Sequence, residues 1–443
     1  MIISAGWILP ICPENLALES YSLVVNKNKI FDLIETPKVH AKYQTDQHIH
    51  LPEHVLMPGL INAHTHLAKV YFRGLGDDLP FLSWLRERIH PAESAVVSPG
   101  FIKDGTTHAL AESIRCGVTC INDHFFYEES VVDALKISGL RGCVAHCAFT
   151  FPMPWSKTIE DDYVATEQLR EYVGGDEKNK NDGKIKFCLG PHSPYGTDDK
   201  IMEYFHQQSK QHGAPIHIHL HETIEEIENF TNQYGMSPVK FYNAKGWLNK
   251  KFIAVHMVHA TDEELDMLAE AGVSVVHCPE SNMKFGNGMA QIQKMLDKGI
   301  NVALATDGAA SNNDLDMIGE MRSASFMGKL CTSTPTALNS KSVLEMATIN
   351  GAKALGIDDK VGSLEIGKDA DFIAIDMHRI ETQPMYNPIS QIVYATCREQ
   401  VTDMWVAGKP IMRNRHILTL CEQTILQKQF AWKAKIKEAV NIL

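Results

Sequence analysis

The chain has 443 residues, 44% of them hydrophobic and 22% charged, the composition of an ordinary globular protein with room for one large core and a smaller second unit. A formal net charge of -12 argues against nucleic acid or an anionic membrane as a partner and leaves a small neutral or zwitterionic molecule open. The ten cysteines include no CxxC pair, and several sit in apolar runs, such as Cys143 and Cys147 in GCVAHCAF. Reduced thiols in a cytoplasmic protein are expected, not a disulfide framework.

The opening residues MIISAGWILPICPENLALES lack a basic stretch before a long apolar core, so no signal peptide is expected. No run of about 18 apolar residues predicts a membrane span. Residues 1–56 hold short strand-like pieces, such as SLVVNKNKIFDLI, and form the first part of an expected small β-sandwich. Eight apolar runs follow: HVLMPGLINAHTH (54–66), VTCINDH (118–124), GCVAHCAF (142–149), KIKFCLGPHS (184–193), PIHIHLHE (215–222), FIAVHMV (252–258), VSVVHCP (273–279) and NVALATD (301–307). Helical periodicity separates most of them, as in TDEELDMLAEAG (261–272) and MAQIQKMLDKG (289–299), while DEKNKNDGK (176–184) reads as a polar turn. Buried parallel strands are near-continuous apolar runs, and eight strand–helix units predict an α/β fold, a closed TIM (β/α)8 barrel over 57–367. Residues 368–443 alternate in the β manner in KDADFIAIDMH and VTDMWVAGKPIMRN, completing the sandwich from the other terminus, and CEQTILQKQFAWKAKIKEAVNIL closes the chain as a helix.

Seven of the eight runs carry polar residues near their C-terminal ends: His66, His124, His192, His219 with Glu222, His256, His277 and Asp307. Barrel active sites form at that face. His64 and His66 of HTH point to one side of a strand and can reach one metal. With 21 histidines, chance alone supplies about one such HxH pair, and His48 with His50 reads as an ordinary surface pair. Context marks out His64 and His66: they end an apolar run and precede a long covering segment. HLHE offers His219 with Glu222 just past the strand end. His217 lies one layer deeper, and His221 competes with His219 on spacing alone. Asp307, in LATDGAASNND, offers an acidic ligand or a turn residue. Histidine and carboxylate without thiolate suit one divalent metal, Zn2+ first and Fe2+ or Mn2+ as alternatives. Such a metal lowers the pKa of bound water to about 7.

PGLINAHTH, HLHET, VHM, HCPESNMK and TDGAASNND together resemble the amidohydrolase superfamily. RGLGDDLPFLSWL, GPHSPY, HCPESNMKFGNG and ATDGAASNNDLDM are similar to its 5'-methylthioadenosine/S-adenosylhomocysteine deaminase branch, close to the s-triazine hydrolases. The resemblance covers nearly the whole chain. It implies metal ligands at His64, His66, His219 and Asp307, with the HxxE element choosing His219 over His221. It implies catalytic roles for Glu222, His256 (in place of His259) and Asp307, and substrate contacts at Trp84, Glu93, His192 and Glu222. Relatives with two metals carry a bridging lysine at the end of the fourth strand. Here that end reads GPHSPYG, while Lys184 and Lys186 lie at the strand's start, so one metal is expected.

The implied reaction is hydrolysis at C6 of an adenine ring, with Glu222 protonating N1 and Asp307 passing a proton to the leaving amine. Glu93 is expected at the ribose hydroxyls, His192 at ring or sugar, and Trp84 on sugar or thioether. Some relatives hold the carboxylate of S-adenosylhomocysteine with arginines after the third strand. Here VAHCAFTFPMPWSKTIEDD has none, and His146 stands where one is expected. That favours 5'-methylthioadenosine, then adenosine, with FPMPW as an apolar wall, unless the partner subunit of a homo-oligomer supplies the cation. The alternatives are a hydrolase of another aminated heterocycle, such as an s-triazine or guanine, and a non-catalytic binding protein of the same fold.

Overall fold

The computed structural model describes residues 1–13, 16–153, 155–174 and 183–440. The polar turn expected at 176–184 lies, up to residue 182, outside the described residues. Five strands come first: β1 (Ile2–Ile8), β2 (Leu18–Glu19), β3 (Tyr21–Asn26), β4 (Lys29–Glu35) and β5 (His48–Pro58). Eight parallel strands follow: β6 (Leu60–Thr65), β7 (Val118–Phe125), β8 (Arg141–Ala148), β9 (Ile185–Pro191), β10 (Ile216–Leu220), β11 (Phe252–His256), β12 (Ser274–His277) and β13 (Asn301–Leu304). β14 (Phe372–Asp376), β15 (Val401–Val406), β16 (Lys409–Arg413) and β17 (His416–Ile417) complete the set, and the helix Glu422–Ala439 ends the described chain.

All eight apolar runs are barrel strands, but the first is divided. HVLMP belongs to β5 of the terminal sheet and LINAHT to β6, with Gly59 between them. A β-carbon at Gly59 would sit 2.1 Å from the Thr119 side chain, so the close crossing needs glycine. The terminal strands form one sheet, in the order β17-β16-β15-β14-β5-β1-β3-β4, with β2 on β1. The β-sandwich expected from the two termini is thus built from one continuous hydrogen-bonded sheet. β14 returns antiparallel beside β5, Phe372 opposite Pro58, so the barrel is an excursion between two neighbouring strands. Phe372 and Trp405 stack at 4.5 Å in this sheet's own core.

The barrel is closed by polar contacts between its first and last runs. Asn62 Nδ2 donates to Thr306 Oγ1 at 2.7 Å, the Thr306 amide donates to Asn62 Oδ1 at 3.1 Å, and the Asp307 amide donates to the His64 carbonyl at 3.2 Å. Arg141, at the start of β8, ties the barrel to the terminal sheet. Its Nε lies 2.6 Å from Asp371 Oδ2 and its Nη2 2.7 Å from Asp369 Oδ2, all three side chains buried.

His146 lies on the outer face of β8, beneath the helices Glu128–Ser138 and Ile159–Gly174. Its Nδ1 is 2.7 Å from Glu128 Oε1 and its Nε2 2.9 Å from Asp162 Oδ1. Burial alone would lower its pKa, but the two carboxylates outweigh it and push the imidazole up to about 10. Because that value exceeds the unfolded one, the stabilisation is complete below about pH 6.5 and is lost as pH rises through about 10. In urea unfolding, His146→Gln should be less stable by about 3–5 kcal/mol near pH 6, and the deficit should shrink by about pH 10.5. An equal deficit at both pH values would exclude a charged imidazole at this position.

Candidate active site

The C-terminal ends of the barrel strands open into a cavity with about 760 Å³ of empty space, part of it open to solvent. His66, His124, His192, His219, Glu222, His256 and Asp307 all line it. Of the strand-end residues expected there, His277 does not. It shares the parity of Val275, whose side chain packs outward, and burial holds its pKa down to about 3. His146, which stands where the resemblance would place an arginine, is spent on Glu128 and Asp162 behind the barrel wall. Its neighbour Cys147 faces the cavity instead.

The histidine orientations follow from bonds on their far sides. His66 Nδ1 bonds to the His124 carbonyl, and His219 Nδ1 donates to the His192 carbonyl at 2.7 Å. His64 Nδ1 meets His217 Nε2 at 3.1 Å, so the deeper histidine is the support of the shallower one. His221 turns away, its Nδ1 on the His259 carbonyl at 2.8 Å. With Nδ1 occupied, the Nε2 atoms converge. His66 and His219 Nε2 are 3.3 Å apart, and Asp307 Oδ1 is 3.4 Å from both His64 and His66 Nε2. His64 Nε2 is buried without a hydrogen-bond partner. Two donors each about 2.0–2.1 Å from a tetrahedral zinc stand about 3.3–3.4 Å apart, so the donor set fits a divalent metal. Burial holds His64, His66 and His219 below the usual imidazole range, which favours the neutral form that metal binding would require.

Asp307 accepts from the Gly308 amide at 2.7 Å and from Ser281 Oγ at 2.8 Å. His256 Nδ1 lies 3.0 Å from Asn282 Oδ1, and its Nε2 is 3.9 Å from Glu222 Oε1, which Asn287 Nδ2 also reaches at 3.3 Å. Burial raises the Glu222 carboxyl above the usual carboxylate range. Glu226 accepts from the amides of His221 and Glu222 at 2.9 and 3.1 Å and so fixes the turn that carries Glu222. Backbone φ is +52° at His221, +73° at His256 and +65° at Asp307. Left-handed backbone in these side chains costs roughly 1–3 kcal/mol each and is the kind of strain that gathers at reactive sites.

Trp84 and Glu93 come from a covering segment, helical from Phe81 to Val96 with a wider π-type turn at Leu85–Ile89, and both are buried against the cavity. His192 stacks on Phe149 at 4.5 Å. Phe149, Phe151 and Met153 form the apolar wall, and Trp155 stacks behind Phe126 at 3.6 Å. Lys69, Ser281, Asn282 and Asn287 had no expected role. The last three lie in the motif HCPESNMKFGNG, and amide side chains close after a strand end are the signal that could have marked Asn282, in the helix Pro279–Phe285, and Asn287 just beyond it. The lysines at the start of β9 are remote, with Lys186 Nζ on the Gly356 carbonyl.

Neutral imidazoles turned on one point, beside an acid able to carry a proton, are the equipment of a barrel hydrolase. Residues 55–411 match the Amidohydrolase family, and the chain belongs to that family. A 5-methylthioadenosine/S-adenosylhomocysteine deaminase from Teredinibacter turnerae is 37% identical over 98% of this chain and 97% of its own. A 5'-deoxyadenosine deaminase from Methanococcoides burtonii is 36% identical over 96% and 95%. The crystal structure of an adenosine deaminase from Xanthomonas campestris, with bound zinc, superposes with a TM-score of 0.95 at 37% identity, covering 99% of this chain and 98% of that one.

The deeper partner of His64 gives a direct test. His217→Phe should weaken zinc binding about 10–100-fold with the fold kept, as read by chelator competition and circular dichroism. Unchanged zinc affinity would remove His217 from the support of the site.

Proposed function

We propose that this protein hydrolytically deaminates an adenosine derivative, 5'-methylthioadenosine before adenosine or S-adenosylhomocysteine, yielding the inosine analogue and ammonia. The observation that carries the reading is Glu222, a buried carboxyl beside His256 at the rim of the histidine cluster. Relatives at 36–39% identity that are named deaminases of this substrate class support it.

His64, His66, His219 and Asp307 would hold one divalent metal, Zn2+ before Fe2+ or Mn2+. Such a metal supplies Lewis acidity and makes water acidic enough to react at neutral pH. The chain's own groups handle the protons. Glu222, whose carboxyl burial raises, starts protonated or receives the water's proton, and delivers it to ring N1, which makes C6 electrophilic. His256, with Nδ1 fixed by Asn282, presents Nε2 to take a proton from the attacking water. Asp307, held by Ser281 and Gly308, orients that water, takes the remaining proton from the C6 hydroxyl and passes it to the exocyclic amine, which leaves as ammonia while C6 keeps the oxygen. The proton on His256 passes to Glu222, 3.9 Å away, and restores its acid form.

Trp84 packs on sugar or thioether, Glu93 and His192 serve the ribose and ring, and Phe149, Phe151 and Met153 receive the methylthio end. An apolar wall without arginine favours that end over an amino-acid carboxylate. A cytoplasmic location accords with cysteines that are all unpaired, and no described helix is long and apolar enough to cross a membrane.

Ammonia release should be measured on 5'-methylthioadenosine, S-adenosylhomocysteine, adenosine, 5'-deoxyadenosine, guanine and an s-triazine. The first is expected to have the highest kcat/KM, and silence on every adenosine derivative would overturn the reading. Glu222→Gln should lose about 10²–10⁴-fold in kcat with its metal retained. Near-normal turnover of that variant would remove Glu222 as the acid. Chelation should abolish turnover, and restoration by Zn2+, Fe2+ or Mn2+ would rank the metals.

A further inference from the structure

Lys69 supplies an ammonium group to the cavity lining. It sits three residues after His66 in the tight turn Leu67–Phe72, and its Nζ lies 3.2 Å from Glu93 Oε1. The two side chains are only 13% and 6% exposed, and Nζ sits 5.3 Å from the Phe125 ring centre. An ammonium has three N–H donors and a carboxylate about four lone-pair sites, so one ion pair leaves most of that capacity unused. Beyond that ion pair, Glu93 Oε1 is a buried atom with no hydrogen bond. Nearly buried polar groups with unspent capacity, facing a cavity, are placed for a ligand.

We propose that Lys69 is a specificity-determining residue for ribosides: with Glu93 it reads two adjacent ribose hydroxyls, Lys69 donating to one oxygen and Glu93 accepting from the other. This rests on the adenosine-type substrate above. A donor beside an acceptor is what vicinal hydroxyls need. An anionic group suits the pair less well, because it would draw Lys69 away and leave Glu93 buried without a counter-charge. A free base has no hydroxyl to reach it. Lys69 and Glu93 come from the turn after β6 and the covering helix, whereas Glu222 follows β10 and His256 ends β11, so the pair's contribution falls on substrate binding more than on the chemical step.

The test uses the metal-loaded enzyme with 5'-methylthioadenosine and its 2'-deoxy and 3'-deoxy forms. A site built to bond a hydroxyl rejects an analogue lacking it, here by at least about tenfold in kcat/KM for each of the two deoxy forms. Lys69→Met should cut that discrimination at least about tenfold, mainly through a higher KM for the riboside, and Lys69→Gln should cut it less. A lysine that merely steadies the fold would depress all three substrates alike, and that result overturns the proposal. Should both variants fail to fold, the native enzyme decides. Discrimination against both deoxy forms, one hydroxyl for each partner, upholds the pairing; discrimination against only one, which Glu93 supplies by itself, or equal kcat/KM on all three substrates overturns it. No ammonia from any adenosine derivative overturns the substrate reading and this pairing with it.

Discussion

The site depends on one constraint: a buried neutral imidazole has one N–H to donate and one lone pair to offer, and the fold decides which nitrogen does which. Main-chain carbonyls of neighbouring strands take Nδ1 of His66 and His219, and His217 takes Nδ1 of His64. What remains is a set of Nε2 lone pairs aimed at one point. The carbonyls that impose this belong to His124 and His192, residues that themselves face the cavity. The strand register therefore orients the histidines and shapes the pocket together. Gly190 shows how little slack there is. A β-carbon there would fall 2.3 Å from the His146 carbonyl and 2.7 Å from His124 Nε2, which bonds to the Gly190 carbonyl at 3.0 Å.

Closing the barrel is part of the same arrangement. The last strand meets the first through Asn62 and Thr306, and one residue further the Asp307 amide bonds to the His64 carbonyl. The contact that shuts the cylinder thus carries the carboxylate to the histidines. The strained backbone at His221, His256 and Asp307 is held by tight local bonding: Glu226 grips two amides at the first, Asn282 fixes the imidazole of the second, and Ser281 and Gly308 hold the carboxylate of the third. At the opposite end, the bidentate grip of Arg141 on Asp371 ties the barrel to the terminal sheet and leaves the mouth free.

The walls of the cavity divide the work by polarity. The covering helix brings Trp84 and Glu93, the segment after β8 brings Phe149, Phe151 and Met153, and the loop after β12 brings the asparagines that steer His256 and Glu222. Family membership and fold leave the substrate open in principle. The apolar wall after β8, together with the Lys69–Glu93 pair, is where this chain would express its preference.

By itself, the sequence determined the eight strands, because buried parallel strands must be continuous apolar runs, and it placed His66, His219, Glu222 and Asp307 at strand ends. Its motif pattern also carried the family. Tertiary structure alone decided three things. It set which face each strand-end residue takes: alternation would send His256 outward with Ala254, and only a φ of +73° turns it in, whereas His277 stays outside. It paired His146 with Glu128 and Asp162, partners 18 and 16 residues away that no spacing rule connects. And it brought Lys69 against Glu93 across a turn and a helix. In each case the deciding quantity is a direction or a through-space distance. Residue identity and period do not encode it until the barrel has closed.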